Sequence, residues 1–156
     1  MVKTEVSNGR RLNILAVDDE EGARASIKLV LKLAGHHAVL ANDAQEALKL
    51  YDGASEPFDL IITDHAMPGL SGLELVHKLR EKGYKREVLV LSANVDSAAE
   101  QKYRNLGVAG IMAKPFDIND LKEWTHCIPV CRERSASGEK PQCILGVTNI
   151  CWLRFA

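Results

Sequence analysis

Cysteine is missing from the first 126 residues of this 156-residue chain, and all four stand at positions 127, 131, 143 and 151. A disulfide framework is therefore excluded for most of the chain, and in a reducing compartment the four are thiols. An excess of charge of one sign is missing too: the formal net charge is -1, with 26% of residues charged. That removes the electrostatic grip by which proteins hold nucleic acid or an acidic bilayer. Apolar runs are all too short to span a membrane. Met1 to Arg11 carries no apolar signal core, so a cytoplasmic protein with neither nucleic acid nor membrane as partner is expected. There is no Walker-type phosphate loop; Gly22, Gly69 and Gly72 read as turn and close-packing positions. The histidines, His36, His37, His65, His77 and His126, are scattered and read as core or surface residues rather than a metal cluster.

What is present is a repeated delivery of polar groups by apolar runs. Leu12 to Val17 ends in Asp18-Asp19, and Phe58 to Thr63 ends in Asp64. Val88 to Leu91 ends in Ser92, and Val108 to Ala113 ends in Lys114-Pro115. A fifth short run, His37 to Ala41, lies between the first two. Between the runs come helical spacings: Ile27, Val30, Leu31 and Ala34 before Gly35; Ala47, Leu48 and Tyr51 after a cap at Asn42 or Asp43; Leu73, Leu75, Val76 and Leu79 before Gly83; Ala99, Tyr103 and Leu106 before Gly107. The last helix begins near Asp117 with Ile118, Leu121, Thr125 and Ile128 on one face, and Pro129 should end or kink it at Ile128.

Near-continuous apolar strands alternating with amphipathic helices predict an α/β fold, a doubly wound (βα)5 parallel sheet covered on both faces, in a single domain. Sites in such sheets lie beyond the carboxyl ends of the strands, where Asp18, Asp19, Asp64, Ser92 and Lys114 all fall.

Three carboxylates within about 4 to 6 Å repel by a few kcal/mol per pair at an effective dielectric near 20. Lys114 offsets one of the three charges of Asp18, Asp19 and Asp64, and the other two call for a divalent cation. Magnesium suits oxygen-only ligands and a phosphate oxygen beside them.

Val17-Asp18-Asp19-Glu20, Asp64 with Met67-Pro68 and Gly72, Ser92-Ala93, and Lys114-Pro115-Phe116 stand in the order and spacing of one family. In these four segments, over about residues 11 to 126, the chain resembles a receiver domain of two-component response regulators, stand-alone and chemotaxis-regulator-like. The resemblance implies a flavodoxin-like sheet in strand order 2-1-3-4-5. It implies Mg2+ held by Asp19 and Asp64 directly, by Asp18 largely through water, and by the Ala66 backbone carbonyl. It implies Asp64 as phosphoacceptor nucleophile, Lys114 and Ser92 as groups that hold phosphoryl oxygens, and a cis Lys114-Pro115 bond. The partners implied are a sensor histidine kinase or histidine phosphotransfer protein upstream and an unknown protein effector downstream, met by the last helices and strand. Apart from its own phosphorylation and dephosphorylation, such a domain is not an enzyme.

Each residue has a plainer reading alone. Asp18 and Asp19 could cap a helix, Asp64 could form a turn, Ser92 could finish a strand, and Lys114 could be a solvated amine. Their coincidence is what favours the phosphoryl site. Two rival functions remain in view: a pseudo-receiver that binds partners without phosphoryl chemistry, and a magnesium-dependent phosphohydrolase using an aspartyl phosphate. The second places its nucleophile and acid two apart, whereas Asp18 and Asp19 are adjacent.

One departure stands out. Receivers often carry Tyr or Phe three residues before the lysine, and here that position is Ile111, so a muted or differently transmitted switch is expected. The domain division is an N-terminal extension over 1–10, a receiver domain over 11–128, and a Cys-containing tail of unknown role over 129–156. Within the tail, 132–141 is polar and linker-like, while 143–155 is strongly apolar; the open readings are that it folds back on the domain, stays disordered, or docks onto another protein or a second copy in a homodimer. The cysteine spacing matches no zinc pattern.

Overall fold

A computed structural model of the chain describes residues 10–136, with side-chain surroundings through residue 127. The readings of the N-terminal extension up to residue 9 and of the tail from 137 onward lie outside the described residues. The apolar runs become five parallel strands: β1 (Asn13–Val17), β2 (His37–Ala41), β3 (Leu60–Asp64), β4 (Glu87–Ser92) and β5 (Gly110–Ala113). They lie side by side in the order β2-β1-β3-β4-β5, which makes β1 and β3 neighbours at the point where the order reverses. The helices are α1 (Glu21–Leu33), α2 (Ala44–Asp52), α3 (Gly72–Glu81), α4 (Ser97–Asn105) and α5 (Ile118–Ala136).

Strand alternation divides the core in two. Ile14, Ala16, Leu60, Ile62, Leu89 and Leu91 face one side, where Ile27, Val30 and Leu31 of α1 and Leu121 and Trp124 of α5 cover them. Leu15, Val17, Ile61, Val88 and Val90 face the other, under Ala44 and Ala47 of α2, Leu75, Val76 and Leu79 of α3, and Tyr103 of α4. Each fully buried branched side chain contributes about 1.5–3 kcal/mol relative to exposure, so the two faces fix the sheet. Caps then fix the helix starts: Asp43 accepts from the Glu46 N–H, Asp96 from the Ala99 N–H, and Ser71 with Glu74 forms a reciprocal capping box. Gly35, at φ +83°, turns the chain out of α1 in a conformation that disfavours a side chain.

Of the end or kink expected in α5 at Ile128, the end does not occur: the helix runs through Pro129 to Ala136. Proline removes one ladder donor there, a local loss that the helical bonds on either side outlast. Ile118, expected on the inner face, is 53% exposed at the first position of α5, where it lines an open cavity with Gly22, Ala23 and Ser26 of α1. At the opposite end of the sheet from the acids, buried Asp59 accepts from the Asn13 N–H at 2.8 Å and from Arg86 Nη1 at 2.8 Å. Arg80 of α3 donates to the Tyr84, Arg86, Leu106 and Gly107 carbonyl oxygens, tying α3 to the segment after α4. None of the described helices is long and apolar enough to cross a membrane.

Candidate functional site

Adjacent parallel strands in register carry their ends to one place. Val17 of β1 pairs with Thr63 of β3, so Asp18 and Asp64 follow at the same level, and Asp64 pairs with Leu91, one residue before Ser92. Carboxylate oxygens of Asp18, Asp19 and Asp64 all lie within 4.8 Å of one another. Lys114, just beyond β5, reaches across β4 and β3: its Nζ is 2.6 Å from Asp18 Oδ2 and 3.4 Å from Asp64 Oδ2. The structure thus brings together four of the residues singled out from the sequence.

Their surroundings differ. Asp18 is 1% exposed and holds the loop that starts α1: its Oδ1 accepts from the Glu20 N–H, and its carbonyl accepts from Arg24 Nη1 at 2.7 Å. The N-cap of α1 is Glu20 and no side chain caps it, so Asp18 holds the loop before the helix rather than capping the helix itself. Asp19 is exposed, and Asp64 is buried with a side chain 11% accessible. Burial pushes the Asp64 carboxyl above its ordinary value; Lys114 pulls it down and Asp18 pushes it up again. Burial alone would lower the Lys114 ammonium, but the hydrogen bond and charge of Asp18, with Asp64 behind, hold it above its usual range.

Ser92, 5% exposed, closes β4 with its hydroxyl turned into its own loop. Its Oγ donates to the Asn94 carbonyl at 3.0 Å and accepts the Asn94 N–H at 3.2 Å. Its carbonyl accepts from the Lys114 N–H at 2.9 Å, so the serine and lysine loops are joined through the backbone. Ala66 stands exposed in the loop that follows β3. The Lys114-Pro115 bond is cis.

Gly72 fixes the floor of the site. A Cβ there would lie 2.1 Å from the Asp64 carbonyl oxygen and 3.0 Å from His65 Cα, so only glycine lets α3 start against the backbone of β3. The Gly72 N–H donates to the His65 carbonyl at 2.9 Å. Sequence reading gave Gly72 a close-packing role but not this partner. It missed Arg24 as a group holding the Asp18 carbonyl, since nothing in helical spacing marks an arginine for the preceding loop.

As a donor set, three carboxylates with one facing ammonium fit a hard, oxygen-seeking divalent cation and not a thiophilic one. Two net negative charges at this spacing repel by a few kcal/mol at an effective dielectric near 20, and such a cation relieves that cost.

Comparison with known proteins agrees with this fold. The family model of the response regulator receiver domain matches residues 14–126. Over 111 residues the chain is 39% identical to the Regulator of RpoS of Escherichia coli (strain K12), a match covering 70% of this chain and 32% of that protein. It is 37% identical over 111 residues to the response regulator MprA of Mycobacterium leprae (strain TN), covering 70% of this chain and 47% of that one. The matched region thus spans about a third to a half of the length of these curated relatives. Among solved structures, the chemotaxis protein CheY4 of Vibrio cholerae aligns with a TM-score of 0.70 at 29% identity, over 76% of this chain and 99% of that one. A response regulator receiver protein from Pseudomonas putida aligns with a TM-score of 0.68 at 34% identity, over 73% and 94% of the two chains. A shared fold and a family match over most of its length lead to one conclusion: this chain belongs to the response regulator receiver domain family.

Proposed function

We propose that the protein is a phosphoacceptor switch in which Asp64 takes a phosphoryl group from a phosphohistidine of a sensor histidine kinase or histidine phosphotransfer protein. The observation that carries this reading is the meeting of Asp18, Asp19 and Asp64 within 4.8 Å, with the Lys114 ammonium reaching Asp18 and Asp64. An Asp64 carboxylate oxygen attacks phosphorus as the P–N bond to the donor imidazole breaks, and the leaving imidazole keeps the electron pair and picks up a proton. The product is an aspartyl phosphate. Phosphoryl transfer of this kind asks mainly for positioning and for positive charge around the moving oxygens.

Lys114 provides one positive charge, and the Ser92 hydroxyl provides a hydrogen bond once it leaves Asn94. Asp18, Asp19, Asp64 and the Ala66 carbonyl are the groups that would hold Mg2+. When bound, the ion supplies the second positive charge against the phosphoryl oxygens. Release by water returns the free carboxylate, so the chain is not an enzyme beyond its own phosphorylation and dephosphorylation. Net charge near zero and the short apolar runs support a cytoplasmic protein whose output is binding to another protein through α4, β5 and α5.

Incubation with acetyl phosphate and Mg2+, read by intact mass, tests the proposal. It expects one phosphoryl group per chain, lost in Asp64→Asn and lost on chelation. A chain that stays unmodified under those conditions is a phosphorylation-independent binding module instead. Steady turnover of generic phosphate esters would identify a phosphohydrolase.

A further inference from the structure

His65 follows Asp64 directly, and its side chain has a partner of its own. His65 Nδ1 lies 2.6 Å from the Tyr103 hydroxyl, and the two rings meet edge-on with centroids 5.5 Å apart. Tyr103 is the one buried residue of α4, and it is wholly enclosed in the core cluster with Leu75, Val76 and Val88. The remaining residues of α4 are exposed or half-buried, so the seat of that helix on the sheet rests on this side chain. Burial, with the charge of Asp64 adding to it, holds the Tyr103 phenol well above its ordinary value, and it stays a neutral hydroxyl.

The backbone of His65 is equally constrained. Its N–H donates to the Leu91 carbonyl of β4 at 3.1 Å, and its carbonyl accepts from Gly72 of α3 at 2.9 Å. One residue, bonded in sequence to Asp64, thus touches β4, α3 and α4. The C-terminal end of α4 is pinned as well, since Arg80 holds the Leu106 and Gly107 carbonyls. Among the described residues no such side-chain bond holds its N-terminal end. Asp96 follows the Ser92–Asn94 turn, whose hydrogen bonds must rearrange for Ser92 to reach a phosphoryl group. A helix fixed at one end, seated by one tyrosine and led by a changeable turn is built to pivot. At position 111, on the neighbouring strand, the half-buried isoleucine has no hydroxyl and no ring with which to report such a change.

We propose that the Tyr103–His65 hydrogen bond couples the state of Asp64 to the position of α4, making this pair the internal relay between the acidic pocket and the face of the helix. The relay rests on the phosphoacceptor reading of Asp64 and extends it to how the signal leaves the site.

The test uses the full chain with Mg2+ and beryllofluoride as phosphoryl mimic, followed by amide chemical shifts. Tyr103→Phe keeps the ring and removes the hydroxyl; His65→Phe keeps an edge contact and removes the nitrogen. In the unaltered protein the mimic is expected to shift amides at Asp18, Asp19 and His65 and along Ser97–Asn105. In either variant the shifts at Asp18 and Asp19 persist, while those along α4 shrink at least threefold. An undiminished α4 response in whichever of the two variants folds overturns the relay and leaves the role of Asp64 standing. No response at Asp18 and Asp19 in the unaltered protein overturns the phosphoacceptor reading and the relay with it.

Discussion

Lys114 Nζ stands 2.6 Å from Asp18 Oδ2 although the two residues are 96 apart in sequence, one just beyond the edge strand β5 and the other just beyond β1. Asp18 is almost wholly buried, and Lys114 is the cation that faces it. Replacing Lys114 by Met leaves the long aliphatic stem and deletes the charge. Because one partner of a buried pair then remains uncompensated, stability at pH 7 without metal is expected to fall by about 2 kcal/mol, with the lysine's partial exposure keeping the loss below the 3–5 kcal/mol of deeply buried pairs. Millimolar Mg2+ restores part of it. Urea unfolding with and without the ion measures both; an unchanged midpoint in chelator would show that the pair does not hold the acids together.

Asp64→Asn has the opposite sign. Burial keeps the Asp64 carboxyl above its usual value, so ionising it costs more in the folded than in the unfolded chain. Stability is therefore lost as pH rises from the unfolded-state value through the folded-state one, and stays lost at neutral pH. The amide keeps the shape without the charge, and the metal-free variant is expected to be about 1 kcal/mol more stable at pH 7. The difference should close in acid, where the carboxyl is protonated in both states. A less stable Asn variant at pH 7 would contradict the electrostatic account of the pocket.

Gly72→Ala tests the floor of the site. The added Cβ meets backbone, the Asp64 carbonyl oxygen, and neither side can yield by a rotamer change. A loss of about 3 kcal/mol or more is expected, with strongly reduced phosphorylation. Gly22→Ala in α1 is the control, since its Cβ would find only the end of the Glu20 side chain at 3.7 Å. That variant should gain up to about 1 kcal/mol from helix propensity. Thermal unfolding of the pair decides; equal behaviour would refute the close-approach reading.

His36 supplies a pH dependence away from the site. It is 8% exposed, and its Nδ1 accepts the Leu12 N–H at 3.2 Å, which requires the neutral ring. Burial, helped by nearby His126, lowers its pKa to about 4, against the pull of Asp59. The folded value lies below the unfolded one, so the stability tied to the neutral ring is complete above about pH 6.5 and is lost as pH falls toward 4. The loss amounts to at most about 3 kcal/mol. Imidazole resonances followed from pH 7.5 downward should show His36 still neutral at pH 5; a midpoint near 6.5 would contradict this.

The sheet was legible because four of its five strands lead into a polar group and the helices between them have a clear apolar spacing; β2 falls on His37–Ala41 as expected. The acidic pocket was legible for the same reason, since parallel strands in register bring their ends together. Other features depend on neighbours that sequence spacing cannot name. Periodicity placed Ile118 on the inner side of α5 by its angle, but whether anything lies opposite depends on where the helix begins relative to the sheet. Pro129 announced a helix end or a kink, and the end does not occur because one missing bond does not stop a ladder that is bonded on both sides. Asp59 and Arg80 carried no assigned role in the sequence, and only the fold supplies the backbone groups they satisfy. Tyr103 was expected inward, while its partner His65 was read only as one of five scattered core or surface histidines, turned by strand alternation away from Asp64. That direction is where α4 lies.

The central claim is that Asp64, and not its two acidic neighbours, becomes the phosphorylated group. Phosphorylation by acetyl phosphate with Mg2+, borohydride reduction of the acyl phosphate and tandem mass spectrometry test it most directly. The account predicts homoserine at position 64 alone, at near one equivalent per chain. Homoserine at position 18 or 19, or none at all, would contradict it.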